Sequence, residues 1–87
     1  MLYWDEEKNN KLITERNISF DKVSEIILRG EYLDILENPS RKDQLIFIIC
    51  LQDYIYAVPF IIDEKENIIL KTVYPSRKFT KIYGDLL

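Results

Sequence analysis

The apolar positions change their spacing partway along the chain, and the change divides it into a helical front and a stranded middle. Phe20, Val23, Ile26 and Ile27 recur at three- and four-residue intervals, the period of a helix with one face against a core. Ser19 can cap that helix, Ile18 can pack on Val23 across the cap, and Gly30 can end it. Ahead of it, Asp5 can cap a helix that begins at Glu6. Glu6 and Glu7 suit the positive end of its dipole, Arg16 suits the negative end, and Asn17 suits the left-handed conformation that stops it. Only Leu12 and Ile13 are apolar in that first helix, so it is expected on the surface, burying little. Leu2, Tyr3 and Trp4 form a short apolar lead-in with the character of an edge strand.

From Tyr32 the period shortens. Residues 32 to 37 read as a short strand closed by the turn Asn38-Pro39-Ser40. Leu45 to Leu51 is an apolar, β-branched run, Gln52-Asp53 marks a tight turn, and Tyr54 to Ile62 returns. After a charged turn from Asp63 to Asn67, residues 68 to 74 go out again. Because these runs are apolar on both faces, one face of the sheet should carry the helices and the other should meet something, leaving a free face lined by Tyr and Ile for a partner. Pro59 has no donor for a ladder and predicts a bulge or an edge at that point. The order predicts an α+β fold. Two N-terminal helices pack on an antiparallel meander of about four strands, and a short basic C-terminal helix follows.

Composition bounds the function. The 87 residues are expected to form a single domain, residues 1 to 87, and 47% apolar content supplies a core of ordinary size. Cys50 is the lone cysteine, inside an apolar run, and reads as a buried and unreactive thiol in a reducing cytoplasm. Histidine is absent, which removes the commonest acid and base and the usual metal ligands, so no metal and no cofactor are expected. The paired carboxylates Asp5-Glu6-Glu7 and Asp63-Glu64 fall at a helix start and a turn, where their role is structural. No signal core or membrane-length apolar stretch occurs, so the chain is expected to be cytoplasmic and without membrane contact.

Charge then singles out the end of the chain. Residues 69 to 87 hold Lys71, Arg77, Lys78 and Lys81 against the single acid Asp85, a local +3 in a chain whose total is −3. Tyr74, Phe79 and Tyr83 are interleaved, which makes a cationic and aromatic surface able to meet phosphate or an acidic partner. A solvated helix end accounts for the same residues without any ligand.

Several motifs, taken in order, resemble the BrnT family of bacterial type II toxins. Tyr3-Trp4-Asp5 with Lys8 and Asn9 is similar to the family's aromatic opening. Asn17-Ile18-Ser19-Phe20 with Val23 is similar to its helix corner, and Ser76-Arg77-Lys78-Phe79-Thr80, with Tyr83 beyond, to its closing motif. An Arg that such proteins commonly carry five residues before the closing Arg corresponds to Thr72, with Lys71 one place earlier and, in a regular strand, on the opposite face. The resemblance implies a RelE-like fold, a metal-independent endoribonuclease that inhibits translation, and a cognate antitoxin of the ribbon-helix-helix DNA-binding type. Operator DNA would be bound only through that complex. RNA cleavage by attack of the 2′-hydroxyl needs geometry, charge stabilisation and proton movement, tasks open to Arg, Lys and Tyr. The candidates are Arg77, Lys78, Tyr74 and Lys71 for catalysis and Lys81, Arg16, Tyr56 and Tyr83 for RNA binding. A toxin-like protein that cleaves little and chiefly binds its antitoxin fits the same residues, as does a small α+β protein of unrelated role.

Overall fold

A computed structural model describes residues 1 to 86. In chain order the elements are β1 (Leu2–Tyr3), α1 (Glu6–Arg16), α2 (Phe20–Leu28), β2 (Asp34–Glu37), β3 (Leu45–Leu51), β4 (Tyr54–Ile62), β5 (Ile68–Leu70), β6 (Tyr74–Pro75) and α3 (Arg77–Tyr83), with a 3-10 turn at Gly84–Leu86. The helix signals act as the sequence predicts. The Asp5 carboxylate accepts the N–H groups of Glu7 and Lys8, and Asn17 stops α1 in the left-handed conformation at φ 56°. Ser19 caps α2 by accepting from the N–H of Lys22. At its end Gly30, φ 71°, turns the chain back while Gly30 donates to Ile27 and Glu31 donates to Ile26, closing the orphan carbonyls in a Schellman pattern.

Among the described residues the sheet has six strands in the order β1-β5-β4-β3-β2, with β6 also pairing β4. Consecutive strands from β2 to β5 are antiparallel neighbours, as a meander requires. The sheet is larger than the sequence indicated and is mixed. β1 pairs in parallel with β5, Leu2 against Ile68, an arrangement the adjacent sequence cannot announce because its partner lies near the other end of the chain.

Alternation along β3 and β4 builds two cores. Phe47, Ile49, Tyr56, Val58 and Phe60 face α1 and α2 and meet Leu12, Ile18, Phe20, Val23 and Ile27. Phe47 stacks on Phe60 with ring centroids 4.1 Å apart. On the other face Ile46, Ile48, Ile55 and Ala57 are buried beneath Leu33, Leu36, Phe79 and Tyr83. The second face is therefore not free for a partner, because α3 folds back over it and covers it. Phe79 and Tyr83, four residues apart, lie on the sheet-facing side of that helix. Cys50 lies at the margin of this second core and is only half-buried, less enclosed than its apolar neighbours in sequence suggest.

One buried polar group ties the helices together. Asn9, 2% exposed, accepts the Phe20 N–H through Oδ1 at 2.7 Å. Its amide donates to Glu6 Oε1 at 3.1 Å and to Asp21 Oδ2 at 3.2 Å. The ring of Trp4 stacks on Phe20 and its Nε1 donates to Glu6, so the opening residues and the helix corner form one unit.

Candidate functional site

The site begins with the missing donor of Pro59. Phe60 faces Leu70, and one step further Lys71 donates its N–H to the Pro59 carbonyl at 2.8 Å. In an antiparallel ladder the return bond would run from residue 59 to the Lys71 carbonyl, but proline has no N–H to give. The Lys71 carbonyl instead accepts from the Lys8 ammonium, which reaches it from α1 at 3.4 Å. Pairing resumes with Tyr74 against Ala57, so Val58 alone opposes both Thr72 and Val73. The predicted strand over 68 to 74 is thus split into β5 and β6 by a bulge in the strand facing the proline. The extra residue puts Val73 into the helix-side core.

Two open clefts adjoin at this bulge. One, about 350 Å³, lies between α1 and the bulged segment and is lined by Lys8, Lys11, Glu15, Arg16, Lys71 and Tyr74 among others. The other, about 480 Å³, lies toward the β2–β3 loop and includes Lys8, Asn38, Ser40, Arg41, Gln44, Lys71 and Tyr74. Both contain Thr72, so the bulge brings Lys71 and Thr72 to the same clefts, where a regular strand would have sent them to opposite faces. Together the linings carry five cationic side chains and a single acid, Glu15, in a chain whose total is −3. The ion pairs among the described residues are Lys11–Glu15, at 4.0 Å, and Arg29–Glu25. Lys8, Arg16, Arg41 and Lys71 take part in neither. Tyr74, 38% exposed, presents a ring at the boundary of the two clefts. Such an arrangement can hold an anion by several cations and offer a flat apolar face beside it.

The structure brings together three of the residues singled out from sequence, Lys71, Tyr74 and Arg16, and it separates the others from them. Ser76 donates its N–H to Ile55, continuing the β6 ladder, and its hydroxyl caps α3 by accepting from Phe79. Arg77 opens that helix, exposed, two residues beyond Pro75 and outside the lining of either cleft. Lys78 and Lys81 are also exposed. Lys78 lines a depression with Leu36, Lys42 and Phe79 and sits 5.6 Å from the Phe79 ring. Tyr83 is half-buried and its hydroxyl donates to Asp34 Oδ2 at 2.7 Å, latching α3 to the edge strand β2. Both burial and that acceptor push the Tyr83 phenol above its ordinary value, the hydrogen bond being the larger cause. Tyr56 is in the helix-side core at 9% exposure, its ring packed rather than displayed.

Lys8, Lys11 and Arg41 are the cleft cations that sequence reasoning did not select. Lys8 stands in the aromatic opening motif, which is a usable signal, but its nearness to Lys71 depends on the fold. Arg41 sits in a turn sequence with no local mark of a site.

The fold is similar to that of the Brucella abortus ribonuclease toxin BrnT. The crystal structure of that protein matches with a TM-score of 0.62 over 87% of this chain and 97% of that one, at 20% sequence identity. No protein-family model and no curated protein matches the sequence. At that identity the likeness is one of fold, and the observed α+β architecture agrees with the arrangement expected from the chain's motifs.

Proposed function

We propose that this chain is the toxin of a bacterial type II toxin–antitoxin pair, a metal-independent endoribonuclease acting in the cytoplasm. The observation that carries the reading is the pair of cationic clefts at the Pro59 bulge in an otherwise acidic protein. The likeness to a ribonuclease toxin supports RNA as the anion. In the cleft beside α1, the Arg16 guanidinium offers two-point contact to a phosphate, Lys71 and Lys8 add point charges, and Tyr74 stacks a base or relays a proton. Cleavage forms a bond from the 2′-oxygen to phosphorus and breaks the bond to the 5′-oxygen. The 2′-hydroxyl proton must leave and the 5′-oxygen must gain one, while the crowded oxygens keep their negative charge beside fixed cations. Arg77, Lys78 and Lys81 on α3 offer a further cationic surface apart from the clefts, with Tyr83 holding that helix to the sheet, while Tyr56 contributes through the helix-side core.

A ribbon-helix-helix antitoxin is the expected partner, and operator DNA is bound through that complex. The test is induction of this chain alone and with its neighbouring reading frame, following growth and total RNA, with purified protein assayed on RNA in the presence of a chelator. The expected result is growth arrest with RNA cleavage that the chelator does not stop and the neighbour suppresses. Lys71→Ala and Arg16→Ala should lose activity while stability changes by no more than roughly 0.5 kcal/mol for the exposed Arg16. Arg77→Ala and Arg77→Lys, made alongside, test whether a two-point phosphate grip is needed at that position too. A folded parent that neither arrests growth nor cuts RNA would remove the nuclease reading. If it still bound the neighbour's product, the role left would be that of an antitoxin-binding protein.

A further inference from the structure

Resting on that reading, we propose that the cleft on the Arg41 side of the Lys8–Lys71 contact is a second phosphate subsite for the same RNA strand. The ligand is then a single strand with consecutive phosphates. Three cations, Lys8, Arg41 and Lys71, line this cleft and no acid does. Among the described residues none of them is engaged in an ion pair, and the Lys8 ammonium has only the Lys71 carbonyl as a hydrogen-bond partner, so their charge is open to a bound anion. The two clefts adjoin, because Lys8, Lys71, Thr72 and Tyr74 belong to both linings. The Lys8 ammonium, held at the Lys71 carbonyl, stands on the divide where it can meet either phosphate.

Arg41 rides on a closed turn rather than a loose loop. Its N–H donates to Asn38 at 3.3 Å, its carbonyl accepts from Gln44 at 3.1 Å, and the Asn38 amide donates to Gln44 Oε1 at 3.2 Å. The backbone that carries Arg41 is thereby fixed at the cleft rim, so gripping a phosphate has only the side chain left to order. Tyr74, at the shared boundary, offers its exposed ring to the base between the two phosphates.

The test uses the full chain with 2′-O-methyl RNA, which has no 2′-hydroxyl to attack. Binding of a dinucleoside monophosphate, which has a single phosphate, is compared with that of a hexanucleotide over a series of salt concentrations, for the parent, Arg41→Ala, Arg41→Lys and Lys71→Ala. The parent should bind the hexanucleotide more tightly. In Arg41→Ala that gain should shrink and the slope of log affinity against log salt should fall by roughly 0.7 for the lost phosphate contact. Arg41→Lys should keep the slope, since it keeps the charge. The turn is held by backbone groups and Asn38, so the melting temperature of Arg41→Ala should match the parent's. A parental slope and length gain in Arg41→Ala, with a loss in Lys71→Ala, would take the second cleft off the RNA path and leave the nuclease reading intact. Failure of the parent to bind either probe would remove both.

Discussion

Asn9 shows how a single side chain can hold two elements in place. Its oxygen satisfies the Phe20 N–H at the start of α2, and its amide is fixed between the Glu6 and Asp21 carboxylates. Asn9→Ala strands that buried N–H and should cost about 1–3 kcal/mol. Asn9→Asp keeps the acceptor but sets a third carboxylate against two others, so at neutral pH it should be the less stable of the two variants. Protonation would restore a donor, so the deficit of Asn9→Asp relative to the parent should narrow as pH falls toward about 4. Denaturant unfolding at the two pH values decides this, and equal deficits at both would mean that the three groups do not interact.

The hairpin between β3 and β4 is closed by Gln52 and Asp53, with φ 54° and 59°, the conformation of a tight two-residue turn in which glycine is favoured. An aspartate there is tolerated but strained, and Asp53→Gly should raise stability by about 0.5–1 kcal/mol, net of the freedom glycine adds to the unfolded chain. A gain in melting temperature of several degrees would be the readout in a domain of this size. Gln52 is better left alone, because its amide reaches the Asn17 carbonyl at 3.4 Å and joins the hairpin to the helix corner. The next turn is held differently. The Asp63 carboxylate accepts the N–H groups of Asn67 and Lys65 and the Asn67 side-chain amide, which holds its pKa below the ordinary value, Asn67 being the larger cause. Its contribution is present above the ordinary carboxylate range and is lost as pH falls through the depressed value.

For the molecule as a whole, α3 determines whether the second face of the sheet is core or surface. It has little besides Phe79, Tyr83 and the Ser76 cap to hold it, and the Tyr83–Asp34 bond is its tie to the far edge of the sheet. Because the Tyr83 pKa is raised above its ordinary value of 10.0, the tie is fully present below that value and is lost as pH rises through the folded pKa. Tyr83→Phe should cost about 0.5 kcal/mol at neutral pH, near the low end for a hydrogen bond because the pair is open to solvent. As pH rises above 10.0 the parent should lose more stability than Tyr83→Phe, and parallel decline of the two would show that the bond is unimportant.

Much of this architecture was legible in the chain itself, because caps, helix periods and turns are set by residues within a few positions of one another. Asp5, Ser19, Asn17 and Gly30 act where they stand, and the apolar runs on either side of Gln52-Asp53 pair as the antiparallel strands β3 and β4. The basic end was also readable, from charge, and Lys71, Tyr74 and Arg16 were each candidates beside Arg77, but that these three line one cleft was not. What only the tertiary structure decided depends on pairings between distant segments. β1 found β5 in parallel across the length of the chain, α3 closed over a face that alternation alone left open, and Tyr56 turned inward. The site follows the same logic. Pro59 withholds a hydrogen bond not from its sequence neighbours but from the strand beside it. The carbonyl left over draws in Lys8 from a helix near the start of the chain, and the bulge opens the clefts that Arg41 borders from a third segment.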